Sequence, residues 1–282
     1  MKVRLTHNPR FNLKEDRPVL LRTAIVLFIF FSCCSSAASQ SQNVPPGVVK
    51  EEPPFRKRTY TDKKGVKMPY RLFVPPKYES AKKYPLILWL HGGTGRGSNN
   101  EGQISNENEA GTHVWTMPEN QSAFPVFVLA PQCAQEENWS EPDLNEVGAP
   151  LQSALDILAL VQKDYSIDHQ RVYLAGQSMG GLGVWALLQK YPEQWAGAVV
   201  IASFDNFTNV RAITRVPLWI FQGDADSTVP VELVRQMVKQ LKKAGGTPRY
   251  SEYHKIGHEV WNHAFAEGQL VPWLSAQKRG TP

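Results

Sequence analysis

Val172-Tyr173-Leu174-Ala175-Gly176-Gln177-Ser178-Met179-Gly180-Gly181 decides the fold. Its first four residues are continuously apolar, the pattern of a strand covered on both faces. The Leu-rich residues up to 190 read as a helix. Between strand and helix stands the pentapeptide G-x-S-x-G. A serine at such a turn sits on strained backbone, and side chains at the flanking positions would clash. The turn also sets the hydroxyl at a helix N-terminus, where backbone N–H groups favour a developing anion. Ser178 is therefore the candidate nucleophile. The pentapeptide alone is a weak signal; its strand–turn–helix setting gives it weight.

Working outward, residues 85–90, 125–130 and 216–221 are apolar runs of the same kind as 171–175, and 196–201 is a weaker one diluted by Gly197 and two alanines. Residues 70–74 alternate and predict an outer antiparallel strand. Helical spacing covers Ala149–Asp164 and residues 231–244, the latter stopped by Gly245-Gly246. Strands alternating with helices predict an α/β fold: a mostly parallel central sheet with helices on both faces. Chemistry on such sheets belongs in the loops at the carboxyl ends of the strands.

Three such loops carry candidates. After 85–90 comes His91-Gly92-Gly93-Thr94-Gly95-Arg96-Gly97, whose glycines let a carbonyl approach main-chain donors. The oxyanion donors are expected to be the N–H groups of Met179, after the nucleophile, and of Gly93, with Thr94 in reserve. A phosphate cradle is disfavoured because G-x-x-x-x-G-K-[ST] is absent. His91 reads as a support for the loop. After 216–221, Asp224 and Asp226 compete for the role of acid. Asp224 directly follows a turn glycine and reads as a loop-shaping residue, so Asp226 is preferred, with Asp205 third. After residues 250–256, expected as the last strand, Gly257-His258 offers a base that the glycine leaves free to turn toward the serine. His254, within that strand, and His263, in the next helix, read as structural. The chain order Ser178, Asp226, His258 differs from the chymotrypsin and subtilisin orders. His258 would take the serine proton, Asp226 would hold its tautomer, and water would release the acyl-enzyme. No zinc-ligand spacing supports a metal hydrolase, and no cofactor is expected.

On these residues the chain resembles the α/β-hydrolase superfamily. The resemblance is to its polyhydroxybutyrate-depolymerase-like and feruloyl-type esterases, which shade into the phospholipase/carboxylesterase and prolyl-oligopeptidase-like families. It is carried by residues 84–93, by Ala130-Pro131-Gln132-Cys133 with Trp139, and by residues 176–181. Gly223-Asp224-Ala225-Asp226 and residues 257–261 with Trp273-Leu274 complete it. It spans residues 60–277 and implies the α/β-hydrolase fold, the same triad and the same two oxyanion donors. Its implied activity is that of a serine carboxylesterase. Residues 95–124, long and polar, are expected to overhang the site as a mobile wall, or else to be a solvated loop. Without an apolar lid or a polymer-binding domain, small soluble or carbohydrate-linked esters are the expected substrates. A serine peptidase of prolyl-oligopeptidase-like type and an inactive binding protein on the same fold are the alternatives.

The N-terminus is organised differently. Six basic residues precede the apolar run 24–31, and small residues 35–39 follow, the layout of a secretory signal peptide. The run is short for a membrane span. The expected organisation is a signal peptide at 1–39, an N-terminal arm at 40–58 and a catalytic domain at 59–282, in a secreted or periplasmic protein. Retention of the segment as an anchor and a lipoprotein signal at Cys33 or Cys34 are the other readings. Residues 1–39 carry six basic and two acidic side chains, hence +4 of the formal +5 charge. The remainder is near neutral, so neither a nucleic-acid partner nor a stable membrane partner is expected. Once residues 1–39 are removed, Cys133 is the one cysteine left and reads as a buried core residue.

Overall fold

Residues 84–90 illustrate how the sequence builds the sheet. Strand β3 (Tyr84–Leu90) is buried along its whole length. Leu86, Leu88 and Leu90 enter one apolar cluster, and Ile87 and Trp89 enter a second on the opposite face. Period-two alternation thus divides one apolar run between two layers. Each fully buried side chain of this size contributes about 1.5–3 kcal/mol.

A computed structural model describes residues 54–140 and 147–280. These belong to one compact unit, Lys50–Pro282. The expected signal peptide and residues 40–53 of the expected arm lie outside the described residues. The other strands are β1 (Phe55–Thr61), β2 (Lys67–Phe73), β4 (Phe127–Pro131), β5 (Ile167–Gln177), β6 (Gly197–Ile201), β7 (Leu218–Gly223) and β8 (Arg249–Tyr253). They form one sheet in the order β1-β2-β4-β3-β5-β6-β7-β8. β2 pairs antiparallel with β1 and β4, and the pairs from β4 to β8 are parallel.

The helices are α1 (Glu109–Thr116), α2 (Pro118–Ala123), α3 (Ala149–Asp164), α4 (Met179–Lys190), α5 (Val210–Ile213), α6 (Val231–Lys243), α7 (Trp261–Phe265) and α8 (Leu270–Ser275). Core residues of α3, α4 and α6 pack with Leu86, Leu88 and Leu90, while those of α1, α7 and α8 pack with Ile87 and Trp89. The mostly parallel sheet covered by helices on both faces is the architecture expected from the sequence.

Two expectations need correction. The arm was expected to reach residue 58, yet strand β1 already begins at Phe55. Its Arg56, Lys57 and Arg58 disguise it, and charged residues are common on an edge strand because they discourage further pairing. Residues 95–124, expected to overhang the site as a mobile wall or to be a solvated loop, contain two short 3-10 turns, Gly102–Ile104 and Asn106–Asn108, followed by α1 and α2. Trp115 of this segment is fully buried and packs edge-on against Phe265, ring centroids 6.5 Å apart. Cys133 is buried as expected, and burial pushes its thiol up to about 12.

Candidate active site

Ser178 lies between β5 and α4 with φ 51° and ψ −118°, a left-handed conformation that costs a non-glycine residue roughly 1–3 kcal/mol. The surrounding backbone holds it there. Its N–H donates to Ile201 O (2.8 Å), and its carbonyl accepts from Gly181 (2.9 Å) and Leu182 (3.2 Å). The glycines of the pentapeptide are steric necessities. A Cβ on Gly176 would come within 2.5 Å of Gly180 O, and one on Gly180 within 1.9 Å of Leu90 O.

The structure brings Ser178, His258 and Asp226 together. His258 Nε2 lies 2.8 Å from Ser178 Oγ, and Nδ1 lies 2.8 Å from Asp226 Oδ2. Trp261 meets the imidazole edge-on at 5.4 Å. The Asp226 side chain is fully buried, whereas that of His258 is 22% exposed. Asp226 Oδ1 accepts the N–H groups of Thr228 and Val229, each at 2.8 Å. Its Oδ2 also accepts from Gln222 Nε2 at 3.0 Å. These bonds fix the carboxylate behind the ring, leaving Nε2 to face the serine.

The competing residues have other partners. Asp224 accepts from His254 Nδ1 (2.7 Å) and from the Lys255 N–H (2.6 Å), and the His254 bond holds its carboxyl below the usual range. Asp205 is buried and accepts from Gln189 Nε2 at 2.7 Å; burial pushes its carboxyl up to about 6. His263 lies on α7 beside Tyr253. His91 is fully buried, accepting the Cys133 N–H on Nε2 (3.0 Å) while Nδ1 meets Gly92 O (2.7 Å). Burial pushes it down to about 4, so it is a neutral brace for the loop, as its sequence position suggested.

Gly93 opens a 3-10 turn, Gly93–Gly95, and Met179 opens α4, so neither N–H has an acceptor within its own helix. Around Gly93 the loop is committed elsewhere. The Gly92 N–H donates to Asn108 Oδ1 (2.7 Å), the Gly95 N–H to Gly92 O (3.0 Å) and the Arg96 N–H to Gly93 O (3.3 Å). Gly93 and Ser178 line the same cavity, of about 360 Å³, together with Thr94, Glu107, His258 and Trp261. A larger groove of about 730 Å³ lies where β3 begins, around Tyr84 and Pro85, and contains none of Ser178, Asp226 and His258. Glu107 and Asn108 were missed from the sequence. They carry no motif, and only their place in the polar segment after the glycine loop hinted at them.

The esterase family model matches residues 62–272. The chain belongs to the esterase family. It is 35% identical to a thermostable esterase of known structure, with a TM-score of 0.76 over 80% of this chain and 64% of that one. Carboxylesterase SOBER1 of Arabidopsis thaliana is 25% identical over 214 residues, covering 69% of this chain and 91% of the relative. A ferulic acid esterase from Anaeromyces mucronatus, solved with ferulic acid, shares the fold at 17% identity, with a TM-score of 0.57 over 85% of this chain and 95% of that one. The protein is thus an esterase of the α/β-hydrolase fold, a carboxylic ester hydrolase.

Proposed function

We propose that this esterase works through an acyl-enzyme on Ser178. The observation that carries the reading is the line of hydrogen bonds from Ser178 Oγ to His258 Nε2 (2.8 Å) and from His258 Nδ1 to Asp226 Oδ2 (2.8 Å). As Ser178 Oγ attacks the ester carbonyl, its proton passes to His258 Nε2. Asp226 holds the proton of Nδ1 and stabilises the imidazolium. The carbonyl oxygen, now negative, is received by the N–H groups of Gly93 and Met179, and each such donor is worth about 10²–10³ in rate. His258 returns the proton to the departing alcohol. Water, activated by the same imidazole, then releases the acid.

The substrates proposed are small soluble or carbohydrate-linked esters. Thr94, Arg96 and Glu107 on the cavity wall support a polar substrate. Its volume of about 360 Å³ lies near the small end of ligand sites. Ferulate, the ligand of the Anaeromyces protein, is one acyl group of this class. Export to the periplasm or the exterior is part of the same proposal, supported by the basic, apolar and small-residue order of residues 1–39.

The test is a panel of p-nitrophenyl acetate, acetylated xylan and methyl feruloyl ester beside alanyl and prolyl anilides. The expected result is turnover of esters without turnover of anilides, lost in Ser178→Ala. Preferential cleavage of the anilides would replace the esterase reading with a peptidase, and full activity of Ser178→Ala would remove the serine mechanism.

A further inference from the structure

Asn108 sits at the N-cap position of α1, where an asparagine side chain ordinarily accepts an N–H of its own helix. Here it makes no such bond. Only 1% exposed, it turns its amide toward the glycine loop instead. Oδ1 accepts the Gly92 N–H at 2.7 Å, and Nδ2 donates to Gly102 O (3.1 Å) and to Thr94 Oγ1 (3.3 Å). Thr94 Oγ1 in turn donates to Glu107 Oε2 (2.9 Å), which leaves its lone pairs free to accept from Asn108. The neighbouring carbonyl, Glu107 O, accepts from Gln177 Nε2 at 2.9 Å, and Gln177 immediately precedes the nucleophile.

Two consecutive residues therefore grip both halves of the site: Asn108 the loop that presents Gly93, Glu107 the turn that presents Ser178 and Met179. We propose that Asn108 is the positioning residue of the oxyanion hole. By binding the Gly92 N–H and the Thr94 hydroxyl, it sets the intervening Gly93 N–H toward the carbonyl oxygen above Ser178. The inference rests on the serine-esterase reading and extends it to a residue outside the triad.

The chemistry requires an amide at this position. The side chain faces one donor on one side and two acceptors on the other. A carboxylate satisfies the Gly92 N–H but confronts Gly102 O with negative charge, and an apolar side chain removes the partner of the Gly92 N–H and of Gly102 O and leaves Thr94 Oγ1 bonded to Glu107 alone. Oxyanion donors contribute only if they are held in place beforehand, and a misplacement near 1 Å costs on the order of 10²-fold in rate.

The test compares Asn108→Ala and Asn108→Asp with the wild type, with Ser178→Ala as reference. The expected result is a kcat reduced about 30–100-fold with KM within about threefold, because the interaction matters in the transition state. Affinity for a trifluoromethyl ketone, which forms a tetrahedral adduct on the serine, falls in parallel, and affinity for the product acid does not. A general loss of structure would not divide the two ligands in this way. If Asn108→Ala does not fold, Asn108→Asp, nearly the same shape, carries the test. Wild-type kcat and ketone affinity in a folded variant overturn the proposal, as does a raised KM at unchanged kcat. Activity in Ser178→Ala would instead overturn the underlying serine mechanism.

Discussion

Asp224 and Asp226 stand two residues apart on the loop after β7, and their surroundings divide their roles. Asp226 is buried, with two backbone donors, a glutamine and the imidazole on its carboxylate. Asp224 bonds His254, whose side chain is 78% exposed, and stays at the surface. Asp226→Asn should lower kcat by about 10³–10⁴, because an amide in that place favours the wrong imidazole tautomer. Asp224→Asn should keep kcat within about twofold, since exposed ion pairs contribute little and this one does not touch the triad. Steady-state hydrolysis of p-nitrophenyl acetate by the two variants measures the contrast. Equal losses, or a larger loss in Asp224→Asn, would reassign the acid.

At the scale of elements, legibility in the sequence followed the degree of burial. β3, β7 and the second half of β5, from Val172, are covered on both faces, so their runs are apolar and were readable, whereas the polar stretch early in β5, Asp168 to Gln170, was not. α3 was readable from end to end, since its apolar residues recur at helical spacing. The pentapeptide and the chain order pointed to Ser178, Asp226 and His258, which the structure brings within hydrogen-bond distance of one another, because the strained turn and the loop positions restrict which residues fit. Edge strand β1 was hidden by its charged side chains. The turns and helices of 95–124 were hidden for a different reason. They are short, polar in composition and anchored by a few residues, notably Trp115 and Gly111, where a Cβ would meet the Trp89 ring at 2.0 Å. Such anchors depend on tertiary contacts with β3 and α7 that no local pattern records. Asn108 belongs to the same segment; it stands at the N-cap position of α1 but does not make the capping bond.

For the molecule as a whole, two buried groups give opposite pH dependences to stability. His91 is pushed down to about 4, below its value in the unfolded chain, so protonation favours unfolding as pH falls through about 6.5 toward 4. Asp205 is pushed up to about 6, so its stability contribution is complete below about pH 4 and is lost as pH rises through about 6. Asp205→Asn mimics the neutral carboxyl and keeps an acceptor for Gln189. It should leave the melting temperature near the wild-type value at pH 4 and raise it at pH 8, by a free energy on the order of 1–3 kcal/mol. Melting curves at the two pH values check this, and a gain of equal size at both would contradict the burial argument.

The central claim, that the folded chain presents Ser178 as an activated nucleophile, is tested most directly by covalent labelling with a fluorophosphonate and mapping of the adduct by peptide mass spectrometry. The account predicts one adduct per chain, on Ser178, with activity lost in proportion to labelling and no labelling of Ser178→Ala. Labelling at another residue, or an unlabelled wild-type protein that still hydrolyses esters, would contradict it.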